Sequence, residues 1–218
     1  MTDFSFPEKP NYNFTKEQTL ERKKILKNKV EHIKFKDLKN TNELIEAYSK
    51  SSFQARKIGE GAKLYKKELN RGTTIIWSLA GSIFSAGLRE LVIDSVRKNL
   101  VDCLVCTGAL FEQDMLEALG YNHYVQTEEI EDKTLQNLLI DRIYDHLLDE
   151  IELQHVDETY KKIAKQMDSG NYSSREFMEY CGKWLSNVKD ANDSVILAAY
   201  EMNAVSYTHL RAHETSRN

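Results

Sequence analysis

The chain has 218 residues, of which 41% are hydrophobic and 29% charged, with a formal net charge of −4. This is the make-up of a soluble globular protein, long enough to bury a core in one domain or two. No apolar run reaches the roughly 18 residues of a membrane span, the N-terminus lacks the basic-then-apolar layout of a secretory signal, and three cysteines suit a reducing compartment better than a disulfide framework.

The expected location is therefore cytoplasmic, with no membrane partner. The net charge hides an asymmetry: residues 1–71 hold 17 Lys and Arg against 10 Asp and Glu, and residues 72–218 hold 13 against 24. The lysines of TLERKKILKNKV alternate with Leu20, Ile25, Leu26 and Val30, as on the wet side of an amphipathic helix. No basic–aromatic interleaving forms a base-stacking platform, so no nucleic-acid partner is expected.

Taken in chain order, residues 1–13 contain both prolines and no periodicity, and are predicted to be loosely docked. Thr15, with Glu17 and Gln18 behind it, predicts a helix start and a helix to about Val30. Asn40-Thr41 predicts the cap of a second helix, and the spacing of Phe53, Ala55, Ile58, Ala62, Leu64, Tyr65 and Leu69 predicts a third. The character changes at Asn70-Arg71-Gly72. TTIIWSLAG reads as a buried parallel strand, and IFSAGLRELVIDSVRKNL as a helix with Leu88, Leu91, Val92 and Val96 on one stripe. VDCLVCTG then reads as a second strand and ALFEQDMLEALG as a second helix stopped by Gly120. Strand–helix–strand–helix order predicts a right-handed βαβ unit in a parallel sheet. Beyond it, NHYVQT is a candidate short strand, while LQNLLIDRIYDHLLDE and DETYKKIAKQM read as helices. SSREFMEYCGKWLSN starts a helix at Ser173 with Glu176 close behind, and DSVILAAYEMN is a short helix with Asp193 as its candidate cap.

Two segments could carry chemistry, SLAGSIFSAG after the first strand and CTGALFEQD after the second. Ligands of open α/β sheets sit beyond the carboxyl ends of the strands, where small residues and a helix N-terminus suit a phosphate. Gly81, Ser82, Ser85, Gly87, Thr107, Gly108 and Ala109 have the size and placement for this. They equally permit tight strand-to-helix turns, and neither segment spells GxGxxG. Pattern alone leaves both readings open. Cys103 and Cys106 form a CxxC, but an offset of three in a strand points the two thiols to opposite faces, which favours structural cysteines over a redox or metal pair. Glu112 and Asp114, at a helix start, suit either the helix dipole or a ligand amine or hydroxyl.

In order along the chain, SSFQARKIGEGAKLYKKEL and TTIIWSLAGSIFSAGLRELVIDSVRKNLVDCLVCTGALFEQDMLEALGYNHY, with IDRIYDHLLDEIEL, YSSREFMEYCGKWL and DSVILAAYEMN after them, resemble the deoxyhypusine synthases, in particular the archaeal-type sequences. The resemblance runs collinearly from about Val30 to Asn203. It implies an α/β fold, a parallel sheet flanked by helices of Rossmann-like dinucleotide-binding type, incomplete at the C-terminus. It also implies an NAD-dependent transferase that oxidises spermidine, holds its aminobutyl part on an enzyme lysine, and passes it to a lysine of the translation initiation factor 5A precursor. A homotetramer with active sites at dimer interfaces is implied as well.

By position, the family's first NAD loop falls on Gly81, Ser82, Ile83, Phe84 and Ser85, and its second on Thr107, Gly108 and Ala109. The acidic pair that contacts spermidine and a cofactor ribose falls on Glu112 and Gln113. Gln113 departs from the glutamate of well-known eukaryotic members; an amide can bond a hydroxyl but cannot neutralise an ammonium. The family's reactive lysine would lie beyond Asn203, and VSYTHLRAHETSRN after Ala204 has no counterpart in the family. The expected organisation is a helical segment over 1–70, a partial NAD-binding α/β domain over 71–203 and a non-family tail over 204–218. Two other roles stay open: a homospermidine synthase-like transferase with a small diamine acceptor, and a non-catalytic partner subunit. No metal site is expected.

Overall fold

The computed structural model describes Pro10 and residues 12–210, so most of the segment 1–13 and the end of the expected tail, 211–218, lie outside the described residues. The chain divides into two compact units, 1–71 and 72–218.

In the first unit, α1 (Lys16–Ile25) begins with a capping box. Gln18 N–H donates to Thr15 Oγ1, and Thr15 N–H donates to Gln18 Oε1. The helix ends at Ile25, short of the predicted Val30, and Leu20, Ile25 and Leu26 are exposed. In α2 (Thr41–Tyr48), Asn40 Oδ1 accepts from Glu43 N–H as the cap. It packs on α3 (Phe53–Asn70). Their approach depends on Gly59, where a Cβ would stand 2.4 Å from Ser49 N.

The second unit opens with β1 (Ile76–Leu79) and β2 (Cys103–Thr107), parallel and in register from Ile76 opposite Cys103 to Leu79 opposite Cys106. A π-turn over Phe84–Leu88 and α4 (Arg89–Arg97) join them, which makes the predicted βαβ unit. After α5 (Gly108–Ala118) come β3 (Tyr124–Val125), α6 (Asp132–Asn137), β4 (Ile140–Ile143) and β5 (His146–Asp149). Beyond β5 lie α7 (Glu150–Lys165), α8 (Ser174–Leu185), α9 (Val195–Glu201) and β6 (Val205–Leu210). One sheet is parallel, in the order β1-β2-β6; the other is antiparallel, in the order β3-β5-β4. Leu104, Leu110, Leu116, Val156, Leu185 and Val195 are among the fully buried side chains that fill the space between sheet and helices. Gly182 brings α8 onto α9, since a Cβ there would meet Tyr200 Cβ at 2.4 Å.

Three expectations change. Residues 135–150, predicted helical, form the end of α6 and the β4–β5 hairpin. Leu135, Leu139, Ile143 and Leu147 do recur every four residues, but pairing of β5 with both β3 and β4 outweighs that local pattern. On α4 the buried stripe is Val92, Ile93 and Val96, while Leu88 and Leu91 are exposed. The π-turn before α4 has one extra residue per turn and so rotates the phase of the α4 stripe. The cap of α9 is Ser194, whose Oγ accepts from Leu197 N–H, whereas Asp193 receives two hydrogen bonds from Arg97. Val205–Leu210, within the segment expected to be a non-family tail, pairs with β2 as the third parallel strand.

Cys106 lies on the buried face of β2 with Leu104, and Cys103 on the other, half-buried face. Burial pushes the Cys106 thiol up to about 12, helped by Asp114, and burial does the same to Cys181. Neither forms the thiolate that redox chemistry or metal binding needs at neutral pH.

Asp114 has no exposed surface, and Arg89 is 5% exposed. Asp114 Oδ1 accepts from Arg89 Nε at 2.7 Å and from Val195 N–H at 2.9 Å, while Oδ2 accepts from Ile196 N–H at 2.9 Å. Arg89 also donates to the Asp193 carbonyl and to Glu90, and lies 3.4 Å from Glu117. Complete burial pushes the Asp114 carboxyl up, and Arg89 with the two α9 amides pulls it back. One carboxylate thus caps α9 from a different helix and fixes α4 and α5 against it. By contrast Lys98–Asp94, exposed on both sides, contributes at most about 1 kcal/mol.

Replacing Asp114 by Ala leaves a buried guanidinium and two helix-end amides without their acceptor, and is expected to cost about 3–5 kcal/mol in denaturant unfolding. A cost like that of a surface pair, below about 1 kcal/mol, would contradict the role given to Asp114. The antiparallel sheet carries a pH dependence. His146 and His123 meet edge to face at 5.9 Å, each with a buried Nε2, and His123 Nδ1 donates to Glu117 at 2.8 Å. Burial, then the neighbouring His123, holds the His146 imidazole below its ordinary 6.5, against a small opposing effect of Asp145. The unfolded chain therefore takes up that proton first as the pH falls. The stabilisation is complete above the unfolded value and is lost as pH falls through it toward the lower folded one. Hydrogen exchange at Gln126 N–H, which donates to the Asp145 carbonyl, should speed up between about pH 7.5 and 5.5 beyond the intrinsic rate change, and His146→Gln should flatten that excess.

Candidate functional site

Because β1 and β2 are parallel neighbours, the loops that leave their carboxyl ends emerge side by side. The first runs through Gly81, Ser82 and Ile83 into the π-turn. Gly81 and Gly87 have φ of +79° and +86°, a left-handed backbone that only glycine adopts without strain. Within the turn Leu88 N–H donates to the Ile83 carbonyl, and Ser85 Oγ donates to the Ser82 carbonyl at 2.9 Å. Ser82 and Ser85 are half-buried; Ile83 packs against the core, and the Phe84 side chain is sealed inside it at 1% exposure. Phe84 can thus offer a ligand its backbone and not its ring.

The second loop is a single residue. Thr107 ends β2 and is the N-cap of α5, with no side-chain capping bond, so the first-turn amides of Gly108 and Ala109 are not closed off by it. Both of those residues are exposed. Gly108 has an ordinary backbone, and a Cβ placed on it would meet nothing within 4 Å. Neither strain nor crowding in the chain demands a glycine there. The space over an uncapped helix N-terminus is the kind of cradle in which a phosphate sits.

Three consecutive α5 residues point in three directions, as the 100° step of a helix requires. Glu112 is half-buried, and burial pushes its carboxyl up, with Asp157 and Glu150 of α7 adding to the effect. Gln113 is 7% exposed, and its Oε1 accepts from Ser85 N–H at 3.3 Å, which ties the first loop to α5. Asp114 faces Arg89 and α9. From the other side, Tyr160 of α7 donates its hydroxyl proton to the Phe111 carbonyl at 2.9 Å and holds α5 in place.

The structure therefore brings Gly81, Ser82, Ser85, Thr107, Gly108, Ala109 and Gln113 to one edge of the sheet, with Glu112 turned toward α7. The order β1-β2-β6 runs in one direction, so among the described residues these strands contain no reversal of the switch-point kind. A separate hollow of about 340 Å³, lined by Arg175, Met178, Tyr200 and Val205, lies at the amino end of β6, at the opposite edge, and is not part of this site. Among the described residues no group of three or more His, Cys, Asp or Glu could hold a metal ion. Sequence reasoning missed Arg89 and the structural task of Asp114.

The deoxyhypusine synthase family profile matches residues 43–208. A "Deoxyhypusine synthase-like protein" of Elusimicrobium minutum is 38% identical over 175 residues, which is 79% of this chain and 47% of that protein. A Methanosarcina acetivorans protein named "Probable deoxyhypusine synthase 2" is 36% identical over 170 residues, 77% of this chain and 49% of its own length. The chain spans about half the length of the curated relatives it matches. A solved Entamoeba histolytica chain carrying the deoxyhypusine synthase name aligns with a TM-score of 0.53 at 18% identity, over 82% of this chain and 63% of that one, which supports the fold. With the profile covering most of the chain, both small-residue loops included, the chain belongs to the deoxyhypusine synthase family.

Proposed function

We propose that this chain carries the cofactor-binding part of an NAD-dependent aminobutyl transferase of the deoxyhypusine synthase type. In this reading the aminobutyl group of spermidine is passed to a lysine of the translation initiation factor 5A precursor, in a cytoplasmic homotetramer. The observation that carries the reading is the tie of the first small-residue loop to α5, the helix that starts at the second, through Ser85 N–H and Gln113 Oε1, at the carboxyl ends of adjacent parallel strands. The residues present fit a dinucleotide: the open space over Gly108 and the uncapped start of α5 suit its phosphates. Gly81, Ser82, Ser85, Thr107, Gly108, Ala109 and Gln113 would hold it, with Ile83 and Phe84 contributing backbone alone. When bound, NAD supplies the hydride acceptor that amine oxidation requires. Glu112, beside Asp157 and Glu150, supplies the negative charge on α5 that a polyamine nitrogen would seek. The lysine that accepts the aminobutyl group is assigned to the part of the relatives that this chain does not cover. The same site would serve a small diamine acceptor, and choice of acceptor separates the two.

Gly108→Ala provides a direct test. Its methyl enters open space at a helix start, so thermal stability should be unchanged or slightly raised, while NAD affinity by calorimetry should fall at least about tenfold, roughly 1.4 kcal/mol. Equal NAD affinity in the two proteins would remove Gly108 from the site. For the reaction, the product of the whole open reading frame, given labelled spermidine and both acceptors, should label the factor precursor. Labelling of putrescine alone would turn the assignment to homospermidine formation, and labelling of neither to a non-catalytic subunit.

A further inference from the structure

Among the described residues three buried side-chain atoms find no hydrogen-bond partner: His123 Nε2, His146 Nε2 and Glu152 Oε2. All three belong to the antiparallel sheet or its flanks, at the residue before β3, the first residue of β5 and the first turn of α7. The His123 ring has a carboxylate of its own, since Nδ1–H donates to Glu117, with Arg89 behind that carboxylate at 3.4 Å. The His146 ring instead meets His123 edge to face, and the pull of Asp145, beside it in the turn, is the weakest influence on it. A proton added there is a buried charge with no acceptor at Nε2. The first turn of α7 hangs on the same sheet. Glu150 N–H donates to the Leu139 carbonyl, Asp149 at the end of β5 accepts from the Ile151 and Glu152 amides, and the Glu152 carboxylate accepts from the Asn122 amide next to His123. Deeper in α7, buried Val156 and the hydrogen bond from Tyr160 to Phe111 hold the helix to the core.

Resting on the reading of Glu112 as the carboxylate that faces an amine, we propose that the contact of His123 with His146 is an acid-operated latch on that site. Proton uptake by His146 parts the two rings, β5 leaves the sheet, and the start of α7 unwinds as far as Val156. Glu150, which with Asp157 surrounds Glu112 with negative charge, is then carried away, and a polyamine cation loses part of its counter-charge. Asp114 and the α9 amides that it caps belong to other elements and keep their contacts. The direction follows from burial: the folded chain holds His146 below its ordinary 6.5, so acid favours the form in which the ring reaches water.

The test follows backbone hydrogen exchange, the imidazole signals by NMR and spermidine binding by calorimetry, from about pH 7.5 to 5.5. Spermidine's amines, like those of lysine, stay charged across this range, so a change in affinity belongs to the protein. Exchange at the Ile151 and Glu152 amides, corrected for the intrinsic rate, should rise with that of Gln126, while Val195 and Ile196 stay protected. Spermidine affinity should fall about three- to tenfold, the worth of one partly screened charge. His146→Gln should remove both effects and leave only the pH dependence that Glu112 itself contributes. If that variant does not fold, the wild-type ring decides: His146 should take up its proton at the pH where Ile151 and Glu152 lose protection. A His146 that titrates while those amides stay protected overturns the latch, as does an affinity that changes equally in wild type and His146→Gln. Wild-type protein that binds no spermidine at pH 7.5 removes the amine reading of Glu112, while exchange at Ile151 and Glu152 still upholds or overturns the latch itself.

Discussion

A single carboxylate with no contact to water holds the second unit together. Asp114 accepts from Arg89 and from two backbone amides at the start of α9, so three helices from distant parts of the sequence meet on one side chain. Burying two charges is unfavourable in itself and is tolerated only where hydrogen bonds use the remaining lone pairs and protons. Here they do: Arg89 also reaches the Asp193 carbonyl and Glu90, and Glu117 stands nearby to continue the network to His123. Apolar residues of similar volume could match the packing, but none could satisfy the α9 amides. The pair therefore specifies an arrangement as much as it stabilises one.

That arrangement sets the direction of the candidate site. A helix free to roll by one residue would swap the faces of Glu112, Gln113 and Asp114. With Asp114 anchored beneath and the Tyr160 hydroxyl on the Phe111 carbonyl at the side, α5 has one rotation left. In that rotation Gln113 meets Ser85, and Glu112 meets the α7 carboxylates. The side chains of the candidate site are thus placed by Asp114, itself committed to Arg89 and α9. Their position is a consequence of core electrostatics, and the sheet supplies only the edge on which they stand.

The βαβ unit was legible because the order of its elements agrees with their local patterns, even though β1 alternates exposed and half-buried residues and the α4 stripe is shifted. β-branched runs that end on small residues, capping residues at Thr15, Asn40 and Ser173, and Gly120 after α5 all point the same way. Legibility failed where tertiary pairing competes with spacing. The leucines and isoleucines of 135–150 have helical recurrence, yet a hairpin that also pairs with β3 buries Leu148 and gives the backbone partners on both sides of β5. The phase error on α4 has a local cause that a 3.6-residue count cannot see, the π-turn at Phe84–Leu88. At the candidate site, the small residues were readable as a set. The hydrogen bond that gives Gln113 its orientation and the commitment of Asp114 to α9 depend on contacts between residues 28 to 82 positions apart, for which a single sequence has no signature.

The third parallel strand shows how little sequence a sheet edge requires. Val205–Leu210, at the start of the segment expected to be a non-family tail, runs beside β2 from Cys103 onward, with one irregularity between Cys106 and Thr107. A β-ladder is made by main-chain groups that every residue except proline supplies, and β2 has an open side there that its own amides and carbonyls must fill. Asp102 and Val205 begin the match, through the Val205 N–H and the Asp102 carbonyl, directly after α9 has been fixed by Asp114. The chain leaving α9 is therefore delivered to the edge of β2 by the same carboxylate that orients α5. Delivery, more than the identity of the residues delivered, makes the strand.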